Sequence, residues 1–190
     1  MDATPPTDPR PPSVPAAPAT EAAPAATTGE IDPLKLQDFV RRRRSEQNLG
    51  MGILGGVLGA AIGAGLWAAI TAMLEGRQIG FMAIGVGFLT GFGVRYLGKG
   101  MDPIFGVVGA VLSLAGCVAG NLLAVMLYAS MHNNIPFAAI AAHMTPDRAW
   151  MILVDTFSPI DLLFYGLAVY FGYRYSFHSI SHAELESLKS

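Results

Sequence analysis

The stretch from Ile79 to Asp102, IGFMAIGVGFLTGFGVRYLGKGMD, most constrains what this chain can fold into. It is an apolar run with glycine at positions 80, 85, 87, 91 and 93, and it closes with Arg95 and a Gly-Lys-Gly turn at 98–100. An uncharged, glycine-rich run followed by one arginine is typical of a membrane helix where it leaves the bilayer. The run therefore predicts a membrane-spanning helix rather than part of a water-soluble domain.

The composition of the whole chain agrees with lipid as the solvent. Of 190 residues, 52% are hydrophobic and 14% are charged, whereas a soluble domain carries about 25% charged residues. The net charge of −2 predicts no general affinity for nucleic acid. The single cysteine, Cys117, excludes an intrachain disulfide framework and is expected to be an inert packing residue.

Four apolar segments are long enough to be crossings, at 51–74, 79–97, 104–129 and 159–177. The first spans about 36 Å as a helix, which exceeds the roughly 30 Å hydrocarbon core. The uncharged part of the second is shorter, so Arg95 must either snorkel outward or lie inside the bundle. A turn at 75–78 makes the first two helices antiparallel. The predicted fold class is an all-α membrane protein, with a four-helix transmembrane domain over 51–178.

The segments that flank these crossings have different roles. Residues 1–30 are a Pro/Ala-rich tail that we expect to be a disordered cytoplasmic tether, with a proline-rich docking site as the alternative. Residues 31–50 form a basic juxtamembrane segment in which Asp32-Pro33 begins a helix. Residues 130–158 form an external loop whose part 145–157 is either interfacial or re-entrant, and 179–190 is a cytoplasmic tail.

Basic residues predict the orientation. Arg95, Lys99, Arg174, Lys189 and a run of four arginines lie on one side of the four-crossing arrangement, and only Arg77 and Arg148 lie on the other. The positive-inside rule places the richer side, with both termini, in the cytoplasm. The four-arginine run either only sets this topology or also binds the headgroups of anionic lipids. Its members are Arg41, Arg42, Arg43 and Arg44.

Small residues recur every four positions in three of the crossings, which puts each set on one helix face. Such faces let two backbones approach closely, and in a membrane this packing replaces hydrophobic burial as the main attraction. We expect these faces to hold the bundle together and to support a homo-oligomer or contacts with other membrane proteins. The residues are Gly55, Gly59 and Gly63, then Gly87 and Gly91, and then Gly109 and Ser113.

Motifs that could carry chemistry are weak. The segment from Gly93 to Lys99 has P-loop spacing, but Gly100 replaces the Ser/Thr magnesium ligand and a helix replaces the strand, so we interpret it as a helix end. His178, His182 and Glu186 share a helix face and are a weak candidate metal site that lacks further ligands. No catalytic triad or paired intramembrane aspartates are present. The sequence predicts no cofactor and no enzyme activity.

Asn121 is the strongly polar residue well inside a predicted crossing, and Asp161 lies near the same outer end. An interhelical hydrogen bond typically contributes only about 0.6–2 kcal/mol in a membrane. Asn121 could therefore be a packing contact, with Asp161 as its partner. It could also mark a polar pore or substrate site, since intramembrane polar groups often do.

One pattern in the chain resembles a group of uncharacterised bacterial four-helix membrane proteins. It consists of Gly85-x-Gly87-Phe88 followed by Gly91, Arg95 and Gly98-Lys-Gly, then Gly120-Asn121, then Asp161-Leu-Leu-Phe-Tyr165 with Gly172-Tyr-Arg-Tyr175. Some members of that group carry a zinc ribbon before the first crossing, which this chain lacks. The resemblance covers about residues 48–178 and implies a bacterial plasma membrane. The predicted function is a helix-packing scaffold or assembly subunit without catalysis. The alternative is a small transporter or channel component that uses Asn121 and Asp161.

Overall fold

The computed structural model describes residues 33–74 and 80–177, and within these ranges it contains seven helices and no strands. The expected all-helical class is therefore confirmed. The Pro/Ala-rich tail, the turn at 75–78 and the histidine pair at 178 and 182 lie outside the described residues. The helices are α1 Pro33–Ser45, α2 Leu49–Met73, α3 Phe81–Gly98, α4 Pro103–Asn133, α5 Phe137–Ala142, α6 Pro146–Thr156 and α7 Pro159–Tyr175.

Three of these helices, α2, α3 and α4, are long and apolar enough to cross a membrane. A fourth candidate is the pair α6 and α7, which meet at a 108° bend. The predicted first three crossings are thus helices of sufficient length, and the described residues contain three or four candidate spans. Helix α4 runs past the predicted end at 129, because it stops only where Asn134 takes a left-handed backbone (φ 52°).

The helices pack around a central pair. Helices α3 and α4 contact each other, and α2 and α7 each contact both of them. The backbones of α2 and α7 stay apart within the described residues, so these two helices lie on opposite flanks of the pair. The backbones of the short helices α5 and α6 come close to that of α4 alone among the described helices. A buried apolar cluster, which includes Trp67, Val86, Cys117, Ala124 and Ala168, fills the space between the four long helices.

The small residues singled out in the sequence lie where these helices approach one another. If Gly59 were replaced by alanine, the added methyl group would come within 2.8 Å of the Leu89 carbonyl carbon on α3. At Gly63 it would meet the Val86 Cα at 3.0 Å. Gly55 similarly faces Gly93 on α3, Gly87 faces Ala168 on α7, Gly91 faces Gly172 and Tyr175 on α7, and Gly109 and Ser113 face Gly172.

The junction between α1 and α2 is tied to the loop between α3 and α4. The Gln47 Oε1 atom accepts hydrogen bonds from the backbone N–H groups of Met101 (3.0 Å) and Asp102 (3.2 Å), and the Asn48 N–H donates to the Gly98 carbonyl at 3.0 Å. Asp102 occupies the expected N-cap position of α4, but its side chain makes no capping bond. Its carboxylate instead accepts from Gln47 Nε2 at 3.1 Å and pairs with Arg44 at 3.5 Å.

The connection between α4 and α7 is more helical than the sequence indicates. Helix α5 follows Pro136, inside the segment that is expected to be an external loop. Helix α6 begins as predicted, because the Thr145 hydroxyl oxygen accepts from the Arg148 N–H at 3.3 Å. Its side chains Trp150 and Met151 are 69% and 68% exposed, and it turns sharply into α7. An interfacial helix and a re-entrant segment are both compatible with this bend.

Candidate functional site

Asn121 on α4 is the centre of a polar cluster that joins three helices. Its side chain is 3% exposed, and its Nδ2 atom donates to the Thr156 hydroxyl of α6 at 3.2 Å and to the Tyr165 hydroxyl of α7 at 3.5 Å. The Thr156 hydroxyl donates its own proton to the Ile152 carbonyl at 2.7 Å. One amide thus connects the central helix to both arms of the bent pair.

An aromatic side chain of α2 packs against this cluster. A methyl group added at Gly120 would lie 2.9 Å from the Trp67 Cε3 atom. Because glycine has no side chain, the indole of Trp67 can lie close to α4. The Trp67 ring also meets the Tyr165 ring edge-on, with centroids 6.5 Å apart. The buried Trp67 Nε1 atom has no hydrogen-bond partner among the described residues. Helices α2 and α7, whose backbones are apart, are therefore connected here through two aromatic side chains.

A cavity of about 330 Å³ lies beside Asn121, between α4, α6 and α7. This volume is within the range of small-molecule sites. Its lining offers one amide, one phenol and one indole N–H for hydrogen bonding, and the described residues that line it include no carboxylate, imidazole or thiol. The cavity can thus hold an apolar group with one polar end. The lining residues are Val118, Asn121, Trp150, Leu153, Val154, Phe157 and Tyr165.

Asp161 bonds within its own helix end, whereas the sequence suggests it as a partner of Asn121. It lies in the first turn of α7, where its carboxylate accepts from the Ser158 N–H at 2.8 Å. The hydrogen bonds of Asn121 described above go to Thr156 and Tyr165 instead. Thr156 was not a sequence candidate, because periodicity cannot reveal a contact that spans 35 positions. Tyr165 appeared only as part of the resemblance motif.

Three other buried hydroxyl groups are used within their own helices. Thr90 donates to the Val86 carbonyl at 2.7 Å, Ser113 to the Gly109 carbonyl at 2.7 Å, and Ser176 to the Gly172 carbonyl at 2.5 Å. Such bonds to the carbonyl four residues earlier satisfy a hydroxyl without a second helix. These hydroxyls therefore do not extend the Asn121 cluster along the bundle.

The remaining candidates lie away from the cavity. Arg95 is half-buried near the end of α3, with its guanidinium 5.9 Å from the Phe92 ring centre. The segment with P-loop spacing is the last turns of α3, and it ends where Lys99 takes a left-handed backbone (φ 48°), so it does not form a phosphate-binding loop before a helix. Among the described residues no group of three His, Cys, Asp or Glu could hold a metal.

The arginines of α1 are near the end of the bundle that carries Asp102. Arg43 pairs with Glu46 at 3.7 Å and Arg44 with Asp102 at 3.5 Å. All four arginines, Arg41, Arg42, Arg43 and Arg44, belong to α1, which makes no backbone contact with the long helices.

We expect replacement of Asn121 by alanine to lower the stability of the α6–α7 corner by about 1–2 kcal/mol, because two interhelical hydrogen bonds are lost. Thr156→Val removes one of those bonds and should cost less. Thermal unfolding in mild detergent, combined with hydrogen exchange of residues 146–165, measures both effects. Equal stability of Asn121→Ala and the wild-type protein would contradict a structural role for this amide.

No family model, no curated protein and no solved structure matches this chain. Its function must be inferred from its own residues.

Proposed function

We propose that this protein is a non-catalytic membrane scaffold or assembly subunit with four crossings, held together by its glycine-containing helix faces. It lies in the bacterial plasma membrane, as the resemblance to the four-helix group implies, and the positive-inside rule puts both termini in the cytoplasm. The fourth crossing is α7, and α6 lies at the outer surface. Anionic lipids contact the arginines of α1 at the cytoplasmic face.

The observation that carries this proposal is how the small residues are used. Gly55 lies against Gly93, Gly59 against Leu89 and Gly87 against Ala168, so these faces are occupied inside one chain. The buried hydroxyls of α3, α4 and the residue after α7 bond to their own helices. A closely packed bundle in which these three hydroxyls bond to their own helices suits a structural role, and assembly with partners would then use its lipid-facing surfaces.

The placement of charges supports the proposed orientation. The hydrogen bonds of Gln47 and Asn48 bring α1, the end of α3 and the start of α4 to one end of the bundle. Gly106 of α4 packs against Tyr173 of α7, which brings the C-terminal end of α7 there as well. This end carries Arg95, Lys99, Arg174 and the α1 arginines, whereas Arg148 is in α6. The positive-inside rule assigns the basic end to the cytoplasm.

A transporter or channel component is the second candidate. It is favoured by the cavity of about 330 Å³ beside Asn121. It is disfavoured by Asp161, whose carboxylate is engaged in the first turn of α7 rather than placed beside the amide. A transport path would require this outer cavity to continue toward the basic end, through the region where Gly87 and Gly91 contact α7.

Flux through proteoliposomes separates the two functions. The scaffold proposal predicts that vesicles with the purified full-length protein leak protons, potassium and small neutral solutes no faster than protein-free vesicles. An Asn121→Leu variant serves as the matched control, since it removes the amide from the cavity. A leak in the wild-type protein that this variant abolishes would contradict the scaffold proposal and favour transport.

A further inference from the structure

The cavity of about 330 Å³ beside Asn121 opens onto the surface of the bundle. It lies at the corner between α6 and α7, which meet at a 108° bend. Three of its lining side chains, Trp150, Val154 and Phe157, are 69%, 58% and 49% exposed. In a membrane these side chains would meet lipid, so an apolar molecule can enter the cavity from the bilayer.

The size and the rings of this cavity limit what it can hold. An apolar cavity of about 150 Å³ accommodates one benzene molecule, so about twice that volume accommodates a body of two fused rings. Three of the lining residues are aromatic, namely Trp150, Phe157 and Tyr165. Aromatic side chains pack edge-on or offset against another ring, which adds to the burial of its surface. The cavity therefore suits a flat two-ring molecule better than a single acyl chain.

The polar atoms of the lining favour a ligand that accepts a hydrogen bond. The Tyr165 hydroxyl oxygen accepts from Asn121 Nδ2 at 3.5 Å, and the phenol proton meets no acceptor among the described residues. The indole N–H of Trp150 is a second donor. No charged side chain is among the described residues of the lining, and an unpaired charge is costly to bury. The ligand should therefore be neutral and carry an acceptor oxygen.

The Tyr165 phenol is held in place by packing outside the cavity. The ring of Trp67 meets it edge-on, with centroids 6.5 Å apart, and Trp67 is itself 3% exposed and does not line the cavity. A donor that is already fixed in position loses little conformational freedom when a ligand binds. Tyr165 is thus the polar group best placed to orient a ligand.

We propose that this cavity binds a neutral molecule of two fused aromatic rings with a carbonyl oxygen, which is the chemistry of a naphthoquinone headgroup. The carbonyl oxygen would accept the Tyr165 proton, and the rings would lie against Trp150 and Phe157. An apolar tail on the molecule would leave through the opening into the lipid. The inference concerns binding alone. It goes beyond the scaffold proposal and does not depend on the number of crossings.

Fluorine NMR of the full-length protein in mild detergent tests this site, since the chain has only two tryptophans to label with fluorotryptophan. The Trp150 signal is assigned from its loss in Trp150→Phe. The probe is a naphthoquinone methylated at both quinone-ring carbons, which leaves no position for addition of the Cys117 thiol. We expect the Trp150 signal to shift and to saturate at one molecule per protein. A shift that grows without saturation would show partition into the detergent only and would overturn the proposal.

The hydrogen bond is tested with a probe that lacks the acceptor. Dimethylnaphthalene has the same two rings without oxygen, and we expect it to bind about ten-fold more weakly than the quinone, which is the contribution of one neutral hydrogen bond. Tyr165→Phe should lower the affinity for the quinone about ten-fold and leave that for dimethylnaphthalene unchanged. Equal affinity of the wild-type protein for the two probes would overturn the proposal, as would tighter binding of dodecanol, a single chain with one hydroxyl.

A second pair of variants keeps the test decisive if Tyr165→Phe does not fold. Val118 lines the cavity, so Val118→Phe should fill part of it and weaken the binding of both ring probes more than ten-fold. Val111→Phe makes the same change two turns earlier on α4, at a position that is 61% exposed and outside the lining, and should bind both probes like the wild type. Equal binding by these two variants would refute the site and leave the scaffold proposal standing.

Discussion

Replacing Gly59 by leucine is expected to abolish the native bundle or to lower its melting temperature more than any other single change considered above. A Cβ atom at this position would lie 2.8 Å from the Leu89 carbonyl carbon and 3.0 Å from the Thr90 Cα. These are backbone atoms of α3, which cannot rotate away as a side chain can. Overpacking of a well-packed core typically costs about 1–3 kcal/mol, occasionally more, and the backbone contact predicts an effect at or above that range.

The same helix supplies a matched control. Gly65→Leu makes the identical change, but a Cβ atom at Gly65 meets no atom within 4 Å. It should be nearly neutral, as should Val57→Leu at a position that is 46% exposed. Gly91→Leu should behave like Gly59→Leu, because its Cβ would lie 2.9 Å from the Gly172 carbonyl oxygen on α7.

Melting temperature and oligomer size in mild detergent measure all four variants. The physical reason for the contrast is that lipid chains are as apolar as leucine, so helices in a membrane gain little by hiding leucine from them. Close backbone approach supplies the attraction instead. If Gly59→Leu and Gly65→Leu lower the melting temperature equally, the glycine faces are not the packing surfaces.

The helices and their contact faces are the part of this fold that local sequence can predict. Apolar length identifies α2, α3 and α4, since a span needs about 17–25 predominantly apolar residues. A spacing of four residues puts Gly55, Gly59 and Gly63 on one face of α2. That face lies against α3, as a close approach requires.

The partners across the fold cannot be predicted in the same way. Asp102-Pro103 is a standard helix start, yet the Asp102 carboxylate bonds to Gln47 and Arg44, far back in the chain. Asn121 could be recognised as a buried polar residue, but its bond to Thr156 depends on the 108° bend between α6 and α7. Both contacts arise from tertiary packing, about which local propensity carries no information.

The row of aromatic rings on α3 shows the same limit. The spacing of Phe88, Phe92 and Tyr96 is visible in the sequence, but its extension through Tyr175 depends on which helix lies beside α3. Arg95 could be identified as the residue that ends the apolar run. Its place in a cavity with Tyr96 and Lys99 could not be predicted, because it depends on the backbone that the chain adopts where α3 ends.

The second large effect that we predict concerns the fourth crossing. This crossing decides on which side of the membrane the C-terminus lies. Helix α7 has 17 residues and spans about 26 Å, somewhat less than the hydrocarbon core. Asp161 and Arg174 lie near its two ends, where they can reach the two interfaces. If α7 crosses, the chain has four spans and its two ends share one side. If α6 and α7 form a re-entrant pair, the chain has three spans.

Reporter fusions that distinguish cytoplasmic from external placement test this central claim most directly. The account predicts a cytoplasmic signal after Gly98, an external signal within 133–147, and a cytoplasmic signal after Lys189. The first two positions are internal controls, since α2, α3 and α4 determine them in either arrangement. An external signal after Lys189 would contradict the fourth crossing, and a cytoplasmic signal from 133–147 would contradict the whole four-helix topology.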